Sequence, residues 1–163
     1  MIELKPIIKN ALLKIDFIKR YEQISALYDA KRTPSGERLR YFDGEIIIDS
    51  IAQLGYKITF EPKEKYFRMK EVQLKEYTFG ANIILDNGMV DIVWIVKKDN
   101  ELLLGLPIGE YSRLMVNVDY RIKKPIFGTY EDLDDIVCRI FAIFEDFKLE
   151  LLKAIPTTRT EMS

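Results

Sequence analysis

Tyr77-Thr78-Phe79-Gly80-Ala81-Asn82-Ile83-Ile84-Leu85-Asp86-Asn87-Gly88-Met89-Val90-Asp91-Ile92-Val93-Trp94-Ile95-Val96 is the stretch that decides the fold. Tyr77, Phe79, Ala81, Ile83 and Leu85 alternate with mostly small or polar residues, the period of two expected of a strand with one buried face. Asp86-Asn87-Gly88 tolerates the positive φ angles of a tight hairpin turn, and Val90, Ile92, Trp94 and Val96 resume the alternation on the return strand. Strands joined by so short a turn run antiparallel.

Outward from this hairpin, Asp99-Asn100 marks a second turn into a strand at 101–106. Pro107 and Gly109 end that strand before a short segment at 110–115. A last strand at 120–127 is expected to complete the sheet. On the other side, Tyr56-Lys57-Ile58-Thr59-Phe60 has the same period of two. Asp43 can cap a helix through Ile46, Ile47, Ile51 and Leu54 that closes at Gly55, although three consecutive Ile leave a strand open. Near the N-terminus, Pro6 leads into two apolar rows at helical spacing: Ile7, Ala11, Ile15 and Ile18, then Phe17, Tyr21, Ile24 and Tyr28. The shift between rows predicts a bend or a second short helix. Lys31-Arg32-Thr33-Pro34-Ser35-Gly36 reads as a basic loop.

Thr129 is the expected cap of a long helix from 130 to about 154, with Asp132 where a capping box normally has Glu or Gln. Leu133, Val137, Ile140, Phe144, Phe147 and Leu151 cluster on one face of it, and Glu131, Asp135, Arg139, Asp146 and Glu150 lie opposite. The tail at 156–163 is polar and expected to fray. The fold class is therefore α+β, an antiparallel sheet of about five strands with N-terminal helices and a long C-terminal helix packed on it. Residues 1–163 are expected to form a single domain.

Composition supports an ordered core: 48% of the 163 residues are apolar and 31% charged, with only eight Gly and six Pro. There is no His and one Cys, Cys138, so a Ser/His/Asp triad, a Cys/His pair, an internal disulfide and any His- or multi-Cys zinc site are excluded on inventory. No glycine-rich phosphate loop occurs. The N-terminus lacks a basic start followed by an unbroken apolar stretch, and the longest apolar stretches fall short of the ~20 residues needed to cross a bilayer. A cytoplasmic location is expected. The 25 basic and 26 acidic residues are unevenly spread. Residues 1–80 hold 15 basic and 12 acidic ones, net +3, and the remainder 10 and 14, net −4.

Candidate sites follow from where charge and aromatic residues gather. Glu131, Asp132, Asp134 and Asp135 fall in about one helical turn, where the helix dipole favours carboxylates. With Asp146 and Glu150 they would form an acidic ridge suited to a basic partner, whose capture it would speed. A metal-dependent nuclease would need converging carboxylates and a nearby Lys. Glu61-Pro62-Lys63, Glu45, Asp49 and Asp91 offer the residue types, but Pro62 points to a turn and no spacing selects them. Cys138 reads as a packed small hydrophobe, with only Arg139 as a local cation. Trp94, Tyr66, Phe67, Tyr77 and Phe79 beside Lys65, Arg68 and Lys70 read first as core. The alternative is a single-stranded nucleic acid-binding module using the sheet face and the basic residues in 57–75.

Four further stretches carry a family resemblance: Gly55-Tyr56-Lys57-Ile58-Thr59-Phe60, Asn87-Gly88-Met89-Val90-Asp91-Ile92-Val93-Trp94, Gly109-Glu110-Tyr111-Ser112-Arg113-Leu114 and Pro125-Ile126-Phe127-Gly128-Thr129-Tyr130-Glu131-Asp132-Leu133. In this order they resemble bacterial immunity proteins of polymorphic-toxin and contact-dependent growth inhibition systems, over roughly the last two thirds of the chain. The resemblance implies a cytosolic, non-enzymatic inhibitor without cofactor or metal. Such a protein binds a cognate toxin C-terminal domain, often a nuclease, and blocks its active site or substrate access. The resemblance assigns no residue to the contact. The acidic helix supplies the expected partner-binding residues Glu131, Asp132, Asp135, Asp146 and Glu150, with the basic loop at 31–40 as the second location.

Overall fold

The computed structural model describes residues 3–154, so the tail expected to fray, 156–163, lies outside the described residues. The sheet is built from β1 (Ile58–Glu61), β2 (Tyr66–Met69), β3 (Val72–Leu74), β4 (Tyr77–Asp86), β5 (Met89–Lys98) and β6 (Glu101–Pro107). Every pairing is antiparallel. The order is β1-β2-β4-β5-β6, with β3 pairing with β4 beyond the end of β2. The β4–β5 turn has Asn87 at φ 55° and Gly88 at φ 75°, and the β5–β6 turn has Asp99 at 51° and Asn100 at 66°. Both turns thus use two successive left-handed residues, the conformation whose twist matches paired strands.

The hairpin register sets Phe79 opposite Val96, Ala81 opposite Trp94 and Ile83 opposite Ile92, and all six are buried. Helix α5 (Tyr130–Lys153) lies over this face, with Phe144 tilted against the Trp94 ring at 5.1 Å and Phe147 stacked on it at 5.2 Å. The N-terminal rows form two helices, α1 (Pro6–Lys14) and α2 (Phe17–Leu27), broken at Asp16 in the left-handed region. Both pack on α5, and Phe17 reaches Trp94 at 5.6 Å. Helix α3 (Gly44–Ala52) begins at Asp43, whose carboxylate accepts from the Glu45 amide, and it packs between β1 and α5. A short α4 (Tyr111–Met115) follows β6.

The strand expected at 120–127 does not form. One isolated bridge, Met89 to Ile126, is all that this segment contributes to the sheet. Pro125 has no amide hydrogen to donate; its carbonyl accepts from the Val90 amide and the Phe127 amide donates to the Gly88 carbonyl, and the segment's other bonds go elsewhere. The Ile126 amide donates to the Tyr28 carbonyl, the Lys123 carbonyl accepts from Ser25 Oγ, and the Phe127 carbonyl accepts from the Leu39 amide. Residues 121–126 therefore run beside α2 as an irregular strap, while β2 and β3 supply strands that the alternation pattern did not single out.

Candidate functional site

Besides the sheet, helix α5 packs against α1, α2 and α3, and these helices divide its carboxylates into two groups. Toward α2, Asp132 Oδ1 lies 3.3 Å from Arg32 and its Oδ2 accepts from the Gly128 amide at 3.1 Å. Asp135 accepts from the Tyr28 hydroxyl and pairs with Arg139 at 2.8 Å. The Tyr28 hydrogen bond, followed by the Arg139 guanidinium, holds the Asp135 carboxyl below the usual carboxylate range. Asp146 pairs with Arg20 at 2.8 Å and Glu150 with Lys153 at 2.9 Å. Four of the five expected contact residues thus have cations or donors of their own chain, and all four are only partly exposed. The fifth, Glu131, is exposed and free of side-chain partners among the described residues.

The outward stripe of α5 is instead Glu131, Asp134, Cys138, Ala142, Glu145 and Leu149, all exposed. Their spacing of three and four residues is that of one helical face. Cys138 is thus a surface residue rather than the packed hydrophobe its neighbours suggested. Asp134 accepts from Ser50 of α3, and Glu145 accepts from the Tyr56 hydroxyl. Lys148 lies behind Glu145, 7% exposed, over the Phe144, Tyr56 and Phe79 rings at 5.0 to 6.0 Å. A buried ammonium is held here by one carboxylate and three ring faces.

The acidic stripe continues onto α3, whose Glu45, Ile46 and Asp49 are exposed, and onto the loop before it. That loop is pinned at both ends. Arg40 donates to Asn87 Oδ1 at 2.6 Å and to the Ser35 carbonyl at 2.7 Å, and the Asp43 amide donates to the Tyr130 hydroxyl at 2.8 Å. Between these anchors Tyr41 is 92% exposed. It edges a cavity of about 550 Å³ floored by Phe42, Phe60, Phe67 and Ile48, with Asp43 and Glu45 on its rim. Phe60 remains 45% exposed, 5.0 Å from the Phe67 ring. Tyr41 stands in a loop, where periodicity gives no signal, and the alternation that paired Phe60 with Ile58 did not show that Phe60, on an edge strand, stays half-exposed. The signal available was a pair of aromatic residues between charged ones in a loop, Arg38-Leu39-Arg40-Tyr41-Phe42-Asp43.

The other sequence candidates are dispersed. Glu61 pairs with Arg68 across β1 and β2, while Asp91 lies on β5 with Lys124 at 3.5 Å. Burial raises the Asp91 carboxyl above its ordinary range despite that lysine. Among the described residues no three of His, Cys, Asp or Glu gather so that they could hold a metal ion. Phe67, Tyr77, Phe79 and Trp94 are buried under the helices, leaving Tyr66 alone of the five proposed stacking rings outside the core. Arg68 covers Tyr66 at 5.8 Å. No described helix is long and apolar enough to cross a membrane. No family model, curated protein or solved structure matches this chain.

Proposed function

We propose that this protein is a partner-binding inhibitor of the immunity type, which captures a basic toxin domain of the nuclease class on the surface joining Tyr41, α3 and the outward stripe of α5. The observation that carries the reading is Tyr41: a nearly fully exposed aromatic on a pinned loop, at the lip of an aromatic cavity that Asp43 and Glu45 also line, with Asp49 exposed on α3 and Glu131 and Asp134 exposed on α5. Fixed aromatic anchors bounded by charge are the residues that dominate binding energy at protein interfaces. Carboxylates around such an anchor suit a cleft built for phosphates and would speed its capture. The family resemblance supports the same reading.

This version of the contact retains Glu131 and replaces the other expected residues with Asp134, Asp49 and Tyr41. The test begins with co-expression: bacteria producing the toxin-like C-terminal region of the reading frame immediately upstream should arrest, and this protein should relieve the arrest. With the purified pair, Tyr41→Ala should cost about 2 kcal/mol or more of binding. Asp49→Lys with Glu131→Lys should slow association about tenfold while lowering the thermal midpoint by only the few degrees that losing a first-turn carboxylate costs. A harmless neighbour, or affinity indifferent to all three changes, overturns the reading.

A further inference from the structure

On a different surface, the strap at 121–126 and the basic loop enclose a cleft of about 720 Å³. Lys31, Arg38, Arg121, Lys123 and Lys124 line it, five cations that come from two segments far apart in sequence. Only two acidic residues share the lining, and both have structural duties. Glu22 accepts from the Tyr120 hydroxyl at 2.6 Å, and Asp29 accepts from the amides of Lys31 and Arg32 at 3.1 and 2.9 Å. Lys124 has Asp91 at 3.5 Å, whereas the side chains of Lys31, Arg38, Arg121 and Lys123 have no hydrogen-bond or carboxylate partner among the described residues.

Arg38 is the informative member. Its Nε is buried without a hydrogen-bond partner, which costs free energy, and the two terminal guanidinium nitrogens are the ones left to reach the cleft. Its stem is packed so tightly on Gly88 that a Cβ there would stand 2.6 Å from Arg38 Cβ, which fixes where the side chain leaves the turn. The planar guanidinium matches the oxygens of a phosphoryl group two at a time. Met89, Ile122, Ile126 and Ala26 supply the apolar part of the cleft lining. No aromatic ring lines it, so it lacks the stacking platforms by which proteins hold a single nucleic acid strand. Its size is that of a small-molecule site.

We propose that this cleft is a binding site for a small organic phosphate carrying two or more negative charges, its phosphoryl oxygens on Arg38, Arg121 and Lys123 and its apolar body on Met89 and Ile122. The test is calorimetric titration of the full chain with inorganic pyrophosphate and with a short alkyl diphosphate, alongside an oligonucleotide and poly-glutamate. The alkyl diphosphate should bind more tightly than pyrophosphate. Arg121→Gln with Lys123→Gln should weaken both about tenfold with an unchanged thermal midpoint. A second readout is local: the Arg38 guanidinium resonances should shift on adding pyrophosphate. Absence of binding at millimolar phosphate, binding indifferent to the double variant, or saturable binding of the oligonucleotide or poly-glutamate alone would each overturn the assignment.

Discussion

Gly88 shows how one residue joins a local rule to a distant neighbour. It completes the β4–β5 turn at φ 75°, a conformation costly for any residue with a Cβ, and it also gives Arg38 room to lie across the turn. Gly88→Ala should therefore cost about 2 to 3 kcal/mol, more than turn strain alone, measured as a fall in the urea midpoint at constant slope. The turn requirement was visible in Asp86-Asn87-Gly88. The Arg38 contact was not, because 49 residues separate the partners and nothing local to either announces the other. Gly128 is a parallel case: a Cβ there would meet the Glu37 carbonyl at 2.9 Å, a close approach of two chain segments that no short-range pattern encodes.

At the scale of elements, α5 was legible in its start, length and buried face. Thr129 Oγ1 accepts from the Asp132 amide at 3.0 Å, as the cap spacing predicts, while Asp132 reaches back to the Gly128 amide. Thr129→Ala should lower stability by about 1 kcal/mol, read from thermal unfolding, with Thr129→Ser losing much less. What the helical wheel gave less well was the division of the polar face. It grouped Asp135, Asp146 and Glu150 as outward residues, but α1 and α2 on one flank and α3 on the other narrow the free surface to a stripe through Glu131, Asp134 and Glu145. A wheel fixes the angles between residues of one helix. It does not say how many neighbours that helix has. The absent strand at 120–127 has the same origin: its alternating pattern was real, but α2 and the loop at 39 competed for its carbonyls and amides and won.

Across the whole molecule, the Tyr28–Asp135 hydrogen bond ties the end of α2 to α5 and makes this docking sensitive to pH at both extremes. Asp135 is depressed in the fold, so its contribution is present above about pH 4 and is lost as pH falls through its lower folded value. Tyr28 is pushed up to about 12, chiefly by burial and then by Asp135. Its contribution is complete below the unfolded value near 10 and disappears as pH rises toward 12. The stability advantage of the native chain over Tyr28→Phe should therefore be flat between about pH 5 and 9 and shrink at both ends, measured by urea denaturation across pH. A constant difference would mean that the bond contributes nothing through ionisation. By itself the sequence determined the α+β class, the central hairpin with its turn, the helical character of the N-terminal rows and the buried face of α5, because each depends on periodicity and on turn or cap chemistry within a few residues. Only the tertiary structure decided which carboxylates remain available, where Tyr41 stands and that Arg38 shares a cleft with Arg121 and Lys123. Those are properties of surfaces assembled from distant segments, and their neighbours compete for the same charges and hydrogen bonds.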